Sequence, residues 1–190
     1  MRPTLIPLIL LLVWLAGCAG QSSVKPVETL DETTGITVGA LKQPIELVPS
    51  TQAAVLTMRR RASFAYLGPI EWNRSGDLSY ALWIHIAPGN DRQSGDIRTP
   101  GALTLLLDDG PIVLSVIDTP SVGHAPYKEA VSWGQTAYFD LTVAMLKRMA
   151  ASHKLQLDVR ATDDSVINFA PGLETSPVLT QYLQARGLSN

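Results

Sequence analysis

One cysteine, three histidines and no stretch of about 20 apolar residues are the first features of this 190-residue chain, and each exclusion narrows its class. A single cysteine forms no intramolecular disulfide, so the fold must be held by a packed core rather than by staples. The apolar run from Leu5 to Trp14, broken only by Pro7, is shorter than the roughly 20 residues that span a bilayer. Charge is sparse, 17% of residues, and the balance is -2 with histidines neutral, which offers no broad electropositive surface for nucleic acid.

Catalytic signatures are equally scarce. His85, His124 and His153 are far apart, with neither the His-x-x-x-His helical spacing nor the cysteine partners of a zinc site, so neither a metal nor another cofactor is expected. There is no Gly-x-Ser-x-Gly elbow, no phosphate loop and no repeat. The expectation is a noncatalytic protein.

What is present begins at the N-terminus. Arg2 and the α-amino group precede the apolar run, and small residues follow at Ala16 and Gly17, the order of a secretory signal. Leu15-Ala16-Gly17-Cys18 resembles the lipobox of bacterial lipoproteins. The resemblance covers residues 1–18 and implies a signal peptide of residues 1–17 cut before Cys18, whose thiol and new amino group carry acyl chains such as palmitate. Two or three chains anchor firmly where one holds marginally. Among such lipoproteins an aspartate after the cysteine favours the inner membrane, so Ala19 implies the outer membrane, periplasmic face. Of the 15 basic residues only Arg2 would leave with the signal, so 14 would face 17 acidic ones. Residues 18–31 are small and polar and read as the lipidated terminus and a flexible tether, about 20 Å long as a coil. Residues 32–190 read as one globular domain, long enough to bury its own core.

Within that domain Ile36–Val38 and Ile45–Val48 are bounded by glycine and proline and read as edge strands. Arg59, Arg60 and Arg61 form the densest positive cluster; the two readings are contact with anionic head groups and a solvated feature at the end of a short element. Residues 64–86 alternate apolar and polar around Asn73-Arg74-Ser75-Gly76-Asp77, which predicts a hairpin. A three-residue loop at Arg74-Ser75-Gly76 sets Trp72 against Leu78 and Tyr66 against Ile84, apolar on apolar; a two-residue loop sets Trp72 against Ser79. The first is the expected register, with Gly76 left-handed. Trp83 and His85 then lie on the face opposite the apolar stripe. A second hairpin is expected around Asp109-Gly110, with Leu107 facing Ile112 and Leu105 facing Leu114, and with Asp108 and Asp109 as turn residues rather than ligands.

Residues 119–135 have no periodicity and hold His124, Tyr127 and Trp133; long irregular connections often bind ligands, so this is the candidate binding loop. The remainder reads as a strand at 136–139, a helix at 141–152 capped by Asp140, two strands at 155–159 and 166–169, and a helix capped by Ser176 with Pro177 at its first helical position and Gly187 ending it. Many strands followed by two helices in the C-terminal third predict an α+β domain on an antiparallel β-sheet or sandwich. Acyl anchor, tether and small β-rich domain are also the layout of secretion-system lipoproteins, which this chain resembles in arrangement though in no motif. The expected partners are therefore the membrane, through Cys18, and an envelope protein. The alternative is an envelope enzyme or small-ligand binder that uses the 119–135 loop.

Overall fold

The computed structural model describes residues 26–50, 63–88, 102–118, 125–160, 166–172 and 175–189. They form β1 (Pro26–Asp31), β2 (Ile36–Leu41), β3 (Ile45–Pro49), β4 (Phe64–Arg74), β5 (Asp77–Ala87), β6 (Ala102–Leu107), β7 (Gly110–Ile117), β8 (Gln135–Asp140), α1 (Val143–Ala151), β9 (Leu155–Arg160), β10 (Val166–Pro171) and α2 (Ser176–Ala185). Every strand pairing is antiparallel.

The antiparallel β-rich domain with two late helices is as expected, but the sheet is neither open nor a sandwich. Followed by pairing, β4-β5-β8-β7-β6-β9-β10-β3 returns to β4, which closes a barrel of eight strands. Closure removes the unpaired edges of those strands. The register puts Ala65, Leu67, Leu82, Ile84, Ile86, Phe139, Leu114, Leu105, Leu157 and Phe169 on one face, each at most 1% exposed. Their neighbour Val113 lies on the opposite face and is 61% exposed, so the first set points inward. The interior is thus filled by side chains, as small barrels are. Burying each such side chain contributes about 1.5–3 kcal/mol.

β4 is longer than one neighbour can cover. Its Ile70–Arg74 half pairs with β2 and its Ala65–Leu67 half with β3. β2 therefore lies between β4 and β1, and β3 between β4 and β10, so neither is the edge strand that its flanking prolines suggested. The edge is β1 instead: residues 26–31, expected as tether, pair along β2 from Pro26 opposite Leu41 to Asp31 opposite Ile36. Asp31 accepts from the Thr33 amide at 3.0 Å and the Thr34 hydroxyl at 2.7 Å, fixing the turn that folds β1 back onto β2.

Both hairpins depart from the expected registers. At the first, Arg74 pairs with Asp77 and Trp72 with Ser79, so the loop is the two residues Ser75 and Gly76, with φ of 52° and 96°. Two successive positive φ values are the mark of a type I′ turn, and the Asn73 side chain accepts from the Gly76 amide at 2.8 Å. The apolar-to-apolar argument failed because both faces of β4 are buried. The aliphatic stripe of β5 points inside, while Tyr66, Ile70 and Trp72 point outside, opposite His85, Ala81 and Ser79. At the second hairpin Leu107 pairs with Gly110 and Leu105 with Ile112, so Asp108 and Asp109 are the loop, with Gly110 just beyond it at φ 119°. The slip is two residues, which keeps every side chain on its expected face.

The turn is held there by α1. Asp108 accepts from the amides of His153 at 2.7 Å and Lys154 at 3.2 Å, and its own amide donates to Ser152. Asp109 takes a two-pronged contact from Arg148, 2.7 and 2.9 Å. The cap of α1 is Thr142, which accepts from the Met145 amide at 3.2 Å; Asp140 is the last residue of β8. Ser176 likewise donates to the Ala150 carbonyl, tying α2 to α1, rather than capping its own helix. Leu179, Tyr182 and Leu183 of α2 and Leu146, Met149 and Ala150 of α1 are buried.

Candidate functional site

Two surfaces combine chemistry with position, and the first is the outer face of β4 and β5. It carries Tyr66, Gly68, Trp83 and His85, and it is covered not by the helices but by residues 125–134, which lead into β8. Tyr127 is the pin of this strap. Its ring lies directly on Gly68, where any Cβ would collide with it, and 5.1 Å from the Trp83 ring. Its hydroxyl donates to the Pro69 carbonyl at 2.8 Å and accepts from the Leu41 amide at 3.0 Å, both buried.

That position has a structural cause. Between Ile70, the last partner of β2, and Leu67, the first partner of β3, β4 has no strand on its side away from β5. The tyrosine hydroxyl fills the gap in the ladder, supplying a donor and an acceptor where buried backbone groups would otherwise go unpaired. Burial pushes the Tyr127 pKa far above its ordinary value, the Leu41 amide opposing this, so the hydroxyl keeps its proton.

His85 lies beside Trp83, rings 5.7 Å apart and nearly parallel, and is fully buried. Its Nδ1 is 2.9 Å from the Thr136 hydroxyl oxygen, and that hydroxyl donates to Glu129 at 2.7 Å. The Thr136 proton being committed to the carboxylate, the same oxygen can only accept from His85, so Nδ1 carries the ring proton. Nε2 is then a bare lone pair, buried and without a partner, and Gly134 packs so closely over it that a Cβ there would strike the ring. Burial lowers the His85 pKa, with Glu129 opposing.

Of the residues singled out by sequence, Tyr127 is thus a core pin, and Trp133 stands on the strap surface, 55% exposed. Cys18, Arg59, Arg60, Arg61 and His124 lie outside the described residues. Sequence reasoning placed Trp83 and His85 on the correct face but did not connect them with Thr136 and Glu129, which join them only when β8 pairs with β5. Among the described residues no group of three or more His, Cys, Asp or Glu is placed to hold a metal, and no helix is long and apolar enough to cross a membrane.

The second surface is the β1 edge. Among the described residues no strand pairs with its outer side, and Val27 and Leu30 are 43% and 59% exposed. No protein family, curated protein or solved structure matches this chain. The edge must therefore be judged on its own chemistry. β1 is braced from beneath by Arg186, just past α2, which bridges Glu28 of β1 and Glu71 of β4. Gly39 of β2 lies between those two carboxylates in the register, and a Cβ there would collide with the guanidinium. Burial works against the Arg186 charge, but the hydrogen bonds it donates to Glu71 and then Glu28 outweigh it and hold the pKa above its ordinary value. Arg186 thus ties the segment after α2 to β1 as well as to β4. The tip of the first hairpin also borders a groove of about 350 Å³ lined by Trp72, Arg74, Asp77 and Asp140, whose charges of both signs select no single ligand chemistry.

Proposed function

We propose that this chain is a lipid-anchored envelope protein, noncatalytic, that docks an extended segment of a partner protein onto the open edge of β1. The observation that carries the reading is that edge: among the described residues no strand pairs with the outer side of β1, Val27 and Leu30 on its two faces are exposed, Glu28 ties it to Arg186, and the strands other than β1 and β2 are closed into a ring. Natural proteins usually blunt such edges with charge, proline or cover; β1 carries Pro26 only at its start and Glu28 paired with Arg186, and leaves Val27, Thr29 and Leu30 exposed for strand addition. Position supports it as well. Residues 19–25 can span no more than about 29 Å between Cys18 and Pro26. An acylated Cys18 would therefore keep β1 close to the bilayer, within reach of other envelope proteins at the outer membrane. The alternative, an enzyme or small-ligand site on residues 119–135, draws less support, because Tyr127 is engaged in the fold and His85 is sealed beneath the strap.

The test uses the full-length protein in cells, with a photo-crosslinking residue at Thr29 on the edge and, as control, at Val113 on the far side of the barrel. An adduct that forms from Thr29 but not from Val113, and is lost in Val27→Lys/Leu30→Lys, is the expected result. Equal adducts from both positions, or none from Thr29, would refute the docking edge. The anchor is tested separately: Cys18→Ser should lose labelled palmitate and leave the membrane fraction, and equal labelling of wild type and variant would sink it.

A further inference from the structure

The strap over His85 has the parts of a proton-operated latch. The geometry points to residues 125–134 as a segment that is closed when His85 is neutral and released when His85 takes a second proton, exposing the aromatic face of Tyr66, Trp83 and Tyr127. In the closed arrangement one chain of donors runs His85 Nδ1–H to Thr136 Oγ1–H to the Glu129 carboxylate. It satisfies the neutral ring and leaves Nε2 with a lone pair, which can go unpaired at lower cost than a buried cation. A second proton on Nε2 has no acceptor: that atom is buried without a partner, covered by Gly134. The closed form therefore excludes the imidazolium on two counts, an unpaired donor and a buried charge.

The groups around the ring do not reverse this. Among the described residues Glu129 on the strap is the carboxylate that reaches it, through Thr136, and it favours the proton, but less than burial opposes it. Tyr66 on β4 lies 6.1 Å away with its pKa raised by burial and then by Glu46, and Tyr127 on the strap and Tyr138 on β8 are raised as well, so all three stay neutral across the relevant range. In the open form His85 meets water and regains an ordinary pKa near 6.5. Above that value both forms hold the same protons and the strap stays shut. Below it the open form binds a proton that the closed form refuses, and the open population rises by up to about tenfold per pH unit until the lowered pKa of the closed form is reached.

The Leu41 amide reports on the latch, because its hydrogen bond goes to the Tyr127 hydroxyl and so is lost when the strap lifts. Its hydrogen-exchange protection factor, corrected for intrinsic exchange, is measured in the full-length protein in detergent from pH 7.5 to 5. Protection should fall by up to about tenfold between pH 6 and 5 in wild type and stay flat in His85→Phe, which keeps an aromatic ring between Trp83 and Tyr66 but cannot titrate. Parallel profiles in the two proteins would overturn the latch. Nitrogen NMR of the wild-type imidazole provides a test that needs no variant: the expected neutral form carries its proton on Nδ1, and a proton on Nε2, or an unshifted pKa in the closed state, overturns the proposal even if His85→Phe does not fold.

Discussion

Removing the hydroxyl of Tyr127 is the sharpest test of how this barrel is joined. Tyr127→Phe keeps the ring on Gly68 and against Trp83, so packing changes little. The Leu41 amide and the Pro69 carbonyl, both buried, lose their partner. A buried donor left unsatisfied costs about 1–3 kcal/mol, and a carbonyl rather less because it has a second lone pair to offer. The sum is about 2–4 kcal/mol, a large share of the 5–15 kcal/mol that holds an ordinary domain together. For a chain of this length that corresponds to a melting temperature lower by roughly 4–16 °C. Urea denaturation followed by tryptophan fluorescence should show the midpoint falling with the slope unchanged, since the surface exposed on unfolding is the same. A loss below about 0.5 kcal/mol would mean that water replaces the hydroxyl or that β2 and β3 close the gap themselves. Either outcome refutes the account of Tyr127 as the filler of the ladder.

Three further expectations follow from the same geometry. Gly76→Val places a β-branched residue at φ 96° in the first hairpin loop and should cost about 1–3 kcal/mol by thermal melt, whereas an unchanged melt would contradict the two-residue turn. Arg186→Leu leaves Glu71 as a buried charge without its cation and should cost about 3–5 kcal/mol, with much of the loss recovered in Arg186→Leu/Glu71→Gln; Glu28→Gln, on the exposed arm, should cost under about 1 kcal/mol. Asp108 has its pKa lowered, first by the His153 amide, so its contribution is present above the ordinary carboxylate pKa and is lost as pH falls through the lowered value. An acid titration of Asp108→Asn should therefore lack part of the stability lost by wild type below about pH 4, and superimposable titrations would remove Asp108 from that role.

How much of this was legible beforehand depends on the range of the interaction. Strands β4 to β10 could be read from period-two patterning, and the two helices from their apolar stripes, because those signals lie within a few residues. The helix caps were misassigned by one or two residues: Thr142 lies beside Asp140, and both are good caps until the register of β8 commits Asp140 to the strand. Gly68-Pro69 lies where β2 gives way to β3 beside β4, while the pairing of β4 with β5 runs on unbroken. Nothing local shows that the glycine makes room for a tyrosine 59 positions on, or that the proline's carbonyl is the group the tyrosine satisfies. The first hairpin was misread for a related reason. Apolar residues on both faces made two registers look alike, and what separates them is the ring interior on one side and the strap on the other.

By itself the sequence determined the alternation of strands, the place of the two hairpin turns to within a residue, the positive φ at Gly76, the two helices near the end and the exclusion of an intramolecular disulfide. Each of these is set by backbone chemistry or side-chain period over a short span. Only the tertiary structure decided that the sheet closes, that β1 is its open edge, that Arg186 joins the last helix to the first strand, and that His85, Thr136 and Glu129 form one hydrogen-bonded chain. The contacts that decide this link residues tens to more than a hundred positions apart, 51 for His85 and Thr136 and 158 for Arg186 and Glu28. Their partners are chosen by where the closed barrel places them, since long-range pairing gains its free energy only after the intervening chain has been ordered.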